Sequence, residues 1–411
     1  MGGAPVTEQS TTMADLLAAV EQAPPVDSVV VVADVLSEQV KATEMCFLIA
    51  DLGGEMLWRV PALPPDGAGK RNPVQVPGTI YDEVMRRQQL RITEAPRADG
   101  YGSGLRVVTP VTTRGDAVGV LELVMPRPPS PSEEERIAQA AHALAYVVAT
   151  NRRFTDLFEW GRRSSTPTLA AEIQQNLLPD ALTVEAGQAT VAGGLEPAGS
   201  IAGDTFDYSL DWNTLHVSVT DAMGHDEAAA LLATLVVGAL RQTRRARGSL
   251  ADQARAAHRA LADHGQGATV TGQLLRIDLT SGRALLVNAG HPWPMRLRNG
   301  RVSEIEPHID LPFGFPWHGD YRVQEVSLEP GDRVVLFTDG MTERNTADFD
   351  LPAVIERDAH QHPREAVRFM TRALREATGG DLLDDATVVC LDWFGPGSSR
   401  RSGEIGDHTG P

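Results

Sequence analysis

A chain of 411 residues with 42% hydrophobic and 22% charged side chains is long enough to form two globular domains with full cores. Its 55 acidic residues outnumber its 37 basic residues, and the net charge of −18 argues against nucleic acid or an anionic membrane as a partner. The chain has two cysteines, Cys46 and Cys390, which are too few for a disulfide framework or a cysteine zinc site. We recognise no signal peptide or membrane-spanning segment in the sequence, and we therefore expect a cytoplasmic protein.

Residues 1–12 are small and polar and predict a disordered tail. Residues 13–127 combine two helical patterns with strand-like runs, and helices that lead into strands predict a compact α+β domain. The strand-like runs are CFLIADL at 46–52, EMLWRV at 55–60, LRVVTPVTT at 105–113 and AVGVLELVM at 117–125.

Residues 128–167 predict a helical connector that begins after a proline-rich break. Ser132 can cap this helix, and Glu135 three residues later completes a capping box. An apolar stripe at helical spacing follows, made of Ile137, Ala141, Leu144 and Val148. Two interpretations remain open: a helix that covers one of the domains, or a connector that forms a homodimer and relays a signal.

A hairpin in the second half of the chain brings two carboxylates together. GDTFDYSL and TLHVSVT alternate as half-buried strands do, with the turn near Trp212 and Asn213. Asp204 lies eight residues before Trp212 and Asp221 lies eight residues after Asn213, so the hairpin sets them side by side at its open end. Neighbouring carboxylates repel each other unless they share a cation.

Two later strands also meet acids. DRVVLFTDG runs into Asp339, and Asp384 and Asp385 open DDATVVCLDW. Each acid alone fits a solvated strand end or an ordinary Asp-Gly turn, but four such acids without lysine or arginine in their motifs favour one site. Oxygen ligands without clustered His or Cys select hard ions such as Mg²⁺ or Mn²⁺, and two such ions can promote phosphoryl transfer.

Five motifs follow the order and approximate spacing found in the metal-dependent protein serine/threonine phosphatases, the PPM family. They are AGDTFDY, DAMGH, NAGHP, FTDGMTE and DDATVV. The chain resembles the bacterial branch of sporulation and sigma-factor-regulating phosphatases, and EIQQNLLP at 172–179 is similar to the helix that opens their catalytic domain. The resemblance implies a β-sandwich flanked by helices over residues 168–395, with the metals at one end. Residues 396–411 are rich in glycine, serine and charge and predict a second disordered tail.

The same resemblance implies a catalytic centre of two Mn²⁺ or Mg²⁺ ions. Asp221 would bridge both ions, and Asp339 and Asp384 would complete one of the two sites. Asp204 and the main-chain carbonyl of Ala222 would complete the other.

Other residues of these motifs are candidates for supporting roles. Asp207 and Asp385 adjoin ligand positions and are expected to orient metal-bound water. His225 is a candidate general acid, although a turn histidine bonded to backbone is the favoured interpretation, and His291 is interpreted as structural for the same reason. Asp226 stands where the family often has glycine, which alters the turn or adds an acid near the metals.

The N-terminal domain has a resemblance of its own. LRVVTPVTTRGDAVGVLELVM at 105–125 is similar to the closing hairpin of GAF sensor domains, which often precede this type of phosphatase. The resemblance implies a small-molecule ligand for residues 13–127. Cys46 is interpreted as part of the core rather than as a chromophore or redox site.

Together these features predict a signalling enzyme in which the sensor controls, through the connector, the hydrolysis of phosphoserine or phosphothreonine on a protein. By resemblance the substrate is a phosphorylated anti-anti-sigma factor, and activated water attacks so that no phosphoenzyme forms. One alternative is a catalytically weak or inactive phosphatase-like binding module, for which Asp226 is the support. The other is a two-metal nucleotide cyclase, which does not need Asp339 or Asp384.

Overall fold

A computed structural model of the chain describes residues 13–60, 73–94, 104–162, 168–198, 203–224, 227–316, 319–342 and 349–399. The chain divides into two compact units, Met1–Ser165 and Thr166–Pro411. The tail predicted at 1–12 and most of the tail predicted at 396–411 lie outside the described residues. Among the described residues, no helix is both long enough and apolar enough to span a bilayer.

The N-terminal unit alternates helices with strands. Its helices are α1 (Met13–Gln22), α2 (Ser28–Val40), α3 (Ile80–Arg87), α4 (Pro131–Asn151) and α5 (Leu157–Arg162). Its strands are β1 (Glu44–Ala50), β2 (Met56–Val60), β3 (Val74–Gln75), β4 (Arg91–Glu94), β5 (Leu105–Thr113) and β6 (Asp116–Met125). The four long strands lie within two residues of the runs that the sequence predicts.

These strands form one antiparallel sheet in the order β3-β2-β1-β6-β5-β4. Alternate residues of β1 serve opposite faces, because side chains alternate along a strand. Phe47 and Ile49 belong to the core formed with α1, α2, α4 and α5, whereas Leu48 belongs to the core formed with α3. Cys46 packs against the second core, in agreement with its interpretation as a core residue. The architecture is α+β as expected, and the GAF assignment stays a prediction.

Helix α4 covers the N-terminal sheet. The predicted stripe of Ile137, Ala141, Leu144 and Val148 is buried in the first core, as the covering-helix interpretation expects. The predicted cap was wrong by two residues, because Ser130 is the N-cap and Glu133 closes the capping box. Pro131 at the first helical position explains the shift, since proline fixes a helical φ where no amide donor is needed.

The C-terminal unit contains eleven strands and five helices among its described residues. Its helices are α6 (Leu169–Leu177), α7 (Glu227–Arg245), α8 (Leu250–His264), α9 (Leu351–Arg357) and α10 (Pro363–Thr378). Its first strands are β7 (Thr183–Glu185), β8 (Ala189–Glu196), β9 (Asp204–Leu210), β10 (Thr214–Ala222), β11 (Val270–Asp278) and β12 (Ala284–Ala289). The others are β13 (Met295–Arg298), β14 (Arg301–Glu304), β15 (Gln324–Val326), β16 (Arg333–Phe337) and β17 (Ala386–Trp393).

Two antiparallel sheets form a sandwich. One has the order β15-β12-β11-β10-β9, and the other has the order β14-β13-β16-β17-β8-β7. Phe206 and Val219 of the first sheet share the inner core with Leu336 and Val389 of the second. Helices α7 and α8 pack on the outer face of the first sheet, and α9 and α10 pack on that of the second. The helix-flanked β-sandwich predicted for this part of the chain is therefore present.

Candidate metal and active site

The β9–β10 hairpin has the register that the sequence predicts. Asp221 pairs directly with Asp204, four steps along the ladder from the pair Val217–Tyr208. Asp221 lies two positions beyond Val219 and Asp204 two positions before Phe206, and both apolar residues belong to the inner core. Because side chains alternate along a strand, both carboxylates project between the two sheets at one end of the sandwich.

The second sheet supplies the opposite wall of this end. The hydroxyl of Thr338, the residue before Asp339, donates to Oδ2 of Asp204 at 2.6 Å. The hydroxyl oxygen of Thr338 in turn accepts a hydrogen bond from the amide of Thr387 at 2.9 Å. The two sheets are thus joined beside the acids by a buried hydroxyl that links β16, β17 and β9.

The Asp339-Gly340 turn lies directly against the DDAT segment. A Cβ added at Gly340 would lie 2.0 Å from the carbonyl oxygen of Asp385, so only glycine allows the two chain segments to approach this closely. Gly203 plays the same part on the other side, since a Cβ there would lie 2.6 Å from the carbonyl oxygen of Ala222. The motif glycines therefore permit close backbone contact around the acids.

Asp385 is buried and hydrogen-bonded on both oxygens. Oδ1 accepts from the amide of Ala198 at 2.9 Å, and Oδ2 accepts from Nε2 of Gln174 at 2.7 Å. Gln174 also donates to the carbonyl oxygen of Asp204 at 2.9 Å. Helix α6 is therefore tied to both sheets through one amide side chain, and Asp385 supports the site as a positioning residue.

Burial and like charge act on Asp204 together. Desolvation raises the pKa of its carboxyl group well above the ordinary value, and the negative charges of Asp221 and Asp385 raise it further. The hydrogen bond from Thr338 opposes this shift. Burial likewise raises the pKa of Asp385, against the hydrogen bonds from Ala198 and Gln174.

The other predicted ligands lie at the rim of this cluster. Asp339 is exposed, and Asp384 and Asp221 are half-buried. Ala222 is buried, and its amide donates to the carbonyl oxygen of Gly203 at 3.2 Å. Solvent-facing carboxylates around a buried one suit a site that an ion enters from outside.

Asp207 does not face this cluster. Oδ1 accepts from Arg241 at 3.0 Å and Oδ2 accepts from Arg244 at 3.0 Å, so this buried carboxylate anchors the C-terminal turns of α7 to β9. Asp207 stands three positions from Asp204 on the strand, and an odd separation places the two side chains on opposite faces. Its expected role in orienting metal-bound water does not fit this placement.

The donor set fits a hard divalent cation. The side chains that converge are carboxylates and hydroxyls, and a cation between Asp204 and Asp221 would offset the repulsion that raises the pKa of Asp204. In the described part of the chain, no three His, Cys, Asp or Glu side chains lie close enough together to form a ligand cluster. The ligand roles of Asp204, Asp221, Ala222, Asp339 and Asp384 thus stay predictions.

The two motif histidines differ in what the structure shows. His291 is buried, its Nδ1 lies 2.8 Å from the hydroxyl of Thr271, and its amide donates to Asn288 at 2.8 Å. Burial lowers the pKa of His291 to about 4, so the ring is neutral near pH 7 and suits a structural role. His225 and Asp226 lie outside the described residues.

Four residues that hold the acids in place were not predicted from the sequence: Gln174, Thr338, Thr387 and Ala198. Thr338 carried a signal, because it directly precedes Asp339 at the end of a buried strand. Gln174 is the only one of the α6 polar residues that is buried, and EIQQNLLP does not distinguish it from Gln175. Ala198 contributes a main-chain amide, for which no residue type gives a signal.

Comparisons with known proteins concern mainly the C-terminal unit. The family model described as stage II sporulation protein E (SpoIIE) matches residues 211–394. The phosphoserine phosphatase RsbU of Bacillus subtilis (strain 168) is 23% identical over 235 residues, which cover 54% of this chain and 68% of RsbU.

Solved structures also align with about half of the chain. The RsbU and RsbW domains of Rv1364c from Mycobacterium tuberculosis align with a TM-score of 0.47 and 23% identity, over 52% of this chain and 63% of that one. The PP2C phosphatase domain of SpoIIE from Bacillus subtilis, with a fragment of its regulatory domain, aligns with a TM-score of 0.45 and 17% identity, over 51% and 64%. In both cases less than two thirds of the solved chain is matched.

Proposed function

We propose, from the premise that the C-terminal unit belongs to the SpoIIE-type (PP2C-like) phosphatases, that this protein is a metal-dependent protein serine/threonine phosphatase. The observation that carries the proposal is the pairing of Asp204 with Asp221 at the end of the sandwich where Thr338 and Asp385 of the second sheet also meet. Asp204, Asp221 and Asp385 come from three chain segments, and their like charges oppose this proximity unless a cation offsets them.

In this proposal the carboxylates would hold two Mn²⁺ or Mg²⁺ ions. Asp221 would bind both ions, and Asp339 and Asp384 would complete one of the two sites. Asp204 and the main-chain carbonyl of Ala222 would complete the other. When bound, such ions supply an activated water and charge neutralisation for the phosphoryl group. This assignment rests on the resemblance of the motifs, and the pairing of Asp204 with Asp221 supports it.

The chain's own residues hold and orient these ligands. Thr338 donates to one oxygen of Asp204 and so helps to fix the rotamer of that carboxylate. Asp385, bonded to Gln174 and Ala198, keeps the DDAT segment against β9, the strand that begins at Asp204. Such supporting hydrogen bonds commonly change metal affinity or activity by about 10–100-fold.

The substrate that we propose is a phosphorylated regulatory protein of the anti-anti-sigma type. Support comes from RsbU, a phosphoserine phosphatase, with which the chain shares 235 aligned residues. The N-terminal unit acts in this proposal as a GAF-like sensor (13–127) that binds a small molecule and regulates the phosphatase (168–395) through the connector (128–167). A homodimer through the connector is part of the same proposal.

Turnover of p-nitrophenyl phosphate tests the catalytic assignment. We expect hydrolysis with Mn²⁺ and none after chelation by EDTA, and we expect Asp221→Asn and Asp339→Ala to lower kcat by at least about 100-fold. Asp211→Asn is the matched control, because Asp211 is an exposed aspartate at the far end of the same hairpin. Loss of Asp339 would leave a nucleotide cyclase active, so the Asp339→Ala result also separates that alternative.

A catalytically weak or inactive phosphatase-like binding module is the second candidate. The observation in its favour is that no three potential ligand side chains cluster among the described residues. Correctly folded protein that binds a phosphoserine peptide but does not hydrolyse it, or p-nitrophenyl phosphate, with saturating Mn²⁺ would decide for this candidate.

A further inference from the structure

The inner face of the first sheet carries a largely buried polar cluster on β11 and β12. Its members are Thr271 and Gln273 of β11, Asn288 of β12, and His291 in the loop that follows β12. His291 is 1% exposed, and Asn288 and Gln273 are fully buried. Polar groups in such positions hydrogen-bond to one another, because bulk water cannot reach them.

Sheet register places Thr271 directly beside Asp221. Asp221 of β10 pairs with Asp204 on one side and with Thr271 on the other. Leu275 and Ile277 of β11 belong to the inner core, and alternation puts Thr271 on the same face as these two residues. Directly paired residues have Cβ atoms about 4.5–5.5 Å apart. A hydroxyl on Thr271 is therefore within hydrogen-bonding reach of the Asp221 carboxylate.

The hydroxyl of Thr271 is bonded to His291. Its Oγ1 lies 2.8 Å from Nδ1 of the imidazole ring. Asn288 holds the main chain of His291, since its side chain accepts from the His291 amide at 2.8 Å and donates to the His291 carbonyl at 2.9 Å. Gln273 donates to the carbonyl of Pro292, the next residue. Two buried amide side chains thus hold the loop that presents the ring to Thr271.

The other nitrogen of the His291 ring indicates which partner donates in this bond. Burial lowers the pKa of His291 to about 4, and the main-chain carbonyl of Phe337 opposes this shift. Nε2 is buried and has no well-formed hydrogen bond within the described part of the chain, so this carbonyl is the acceptor available to it. A carbonyl oxygen only accepts, which favours the neutral tautomer with its proton on Nε2. Nδ1 then has a lone pair, and the Thr271 hydroxyl donates to it.

A second threonine at the same end of the sandwich does donate to an acid. The hydroxyl of Thr338 bonds to Oδ2 of Asp204 at 2.6 Å. Hydrogen bonds to carboxylates are stronger than those between neutral groups. Without Nδ1 as an acceptor, rotation about χ1 would let the Thr271 hydroxyl donate to Asp221 in the same way. That bond would compete with a cation for the carboxylate.

We propose that His291 is a positioning residue that holds the hydroxyl of Thr271 away from Asp221, and so prevents it from competing with divalent cations for this carboxylate. The inference rests on the proposed phosphatase function, in which Asp221 binds both ions. His291 acts through Thr271 and touches neither the ions nor the substrate. Removal of the Nδ1 acceptor therefore weakens cation binding, and removal of the hydroxyl as well restores it.

Mn²⁺ binding by variants of the two residues tests the inference, with isothermal titration calorimetry for Kd and p-nitrophenyl phosphate turnover for kcat. His291→Gln keeps a polar group near the place of Nε2 and loses the one at Nδ1, so we expect its Kd for Mn²⁺ to rise by about 10–100-fold. Thr271→Val has no hydroxyl to release and should keep the wild-type Kd. The double variant should recover the Kd of Thr271→Val, because two residues that act through one contact are not additive.

His291→Asn is the matched control at the same position. Its amide can present an acceptor close to the place of Nδ1, so this variant should bind Mn²⁺ as the wild type does. Melting temperatures without metal show which variants fold. Thr271→Val decides by itself if His291→Gln does not fold, since the inference requires its Kd to be unchanged.

Two outcomes would overturn the inference: a loss of Mn²⁺ affinity in folded Thr271→Val, or no recovery in the double variant. Either one would mean that Thr271 supports Asp221 rather than competing for it. Folded wild-type protein that neither binds Mn²⁺ nor hydrolyses p-nitrophenyl phosphate would instead overturn the proposed function, and this inference with it.

Discussion

Gln174 connects helix α6 to the acids through two hydrogen bonds, one to Asp385 and one to the carbonyl of Asp204. We expect Gln174→Leu to lower kcat, or the affinity for Mn²⁺, by about 10–100-fold, because an unsupported Asp385 no longer fixes the segment beside Asp384. Turnover of p-nitrophenyl phosphate over a Mn²⁺ titration measures both quantities.

Asn176→Leu is the control for this prediction, because Asn176 lies on the same helix and bonds only to Glu172. It should leave both quantities close to wild type. An unchanged Mn²⁺ titration for Gln174→Leu, in a protein with the wild-type Tm, would show that α6 has no part in positioning the acids.

Gly340 and Gly238 give a second residue pair with opposite expectations. Gly340→Ala forces a Cβ to 2.0 Å from the carbonyl of Asp385, so the Asp339 turn must move and both Tm and activity should fall. Gly238 stands in the interior of α7 with nothing within 4 Å of its added Cβ, so Gly238→Ala should stabilise by about 0.5–1 kcal/mol. Thermal denaturation of both variants checks the prediction, and a neutral Gly340→Ala would contradict the close contact.

The part of the site that sequence could predict is the part that local rules determine. The pairing of Asp204 with Asp221 follows from equal spacing about a hairpin turn, since a period of two fixes both register and face. The same period could have excluded Asp207, which is an odd number of residues from Asp204. The contacts of Gln174 with Asp385 join residues 211 positions apart, and no local pattern encodes such a contact.

Helix α4 begins with a charged cap that makes its stability depend on pH. Glu133 accepts from the amide of Ser130 at 2.7 Å and pairs with Arg127 at 2.8 Å. The Arg127 guanidinium, followed by the Ser130 amide, lowers the pKa of Glu133 from 4.5 to about 2. Because the folded pKa is below the unfolded one, the stabilisation is complete above about pH 4.5 and is lost as the pH falls towards 2.

We therefore expect Glu133→Gln to be less stable than wild type by about 1 kcal/mol at pH 7, the usual size of an N-cap contribution. The difference should shrink at pH 3, where the wild-type carboxylate begins to protonate. Urea denaturation at the two pH values measures it. Glu134→Gln is the control, since Glu134 is exposed in the same turn, and a difference for Glu133→Gln that does not change with pH would contradict the charged cap.

At the scale of elements, sequence predicted α4 and its buried stripe but misplaced the start of the helix by two residues. The pattern SEEER offers Ser132 and Glu135 as a box, whereas SPSE offers Ser130 and Glu133 with a proline between them. The second box prevails because Pro131 favours the first helical position and Arg127 pairs with Glu133. The short strands β3 and β4 were not predicted, since two to four residues carry too little alternation.

At the scale of the whole molecule, each unit has buried cores of its own. Those of the N-terminal unit include Val32, Leu36 and Leu121, and the inner core of the C-terminal unit includes Phe206 and Leu336. Separate cores are what allows units of one chain to unfold in separate transitions. Composition and length predicted two domains for the same reason, because a chain of 411 residues exceeds the size of one core.

Calorimetry should accordingly resolve two transitions that respond to different changes. Mn²⁺ at about 100 times its Kd should stabilise only the C-terminal transition, by about 2.7 kcal/mol, because the proposed ligands all lie in that unit. Leu36→Ala should lower only the other transition, since Leu36 is 2% exposed in the N-terminal core and its truncation costs about 2–5 kcal/mol. A single transition that Mn²⁺ raises and Leu36→Ala lowers would mean that the units unfold as one body, and a Mn²⁺ effect confined to the N-terminal transition would place the ions away from Asp221.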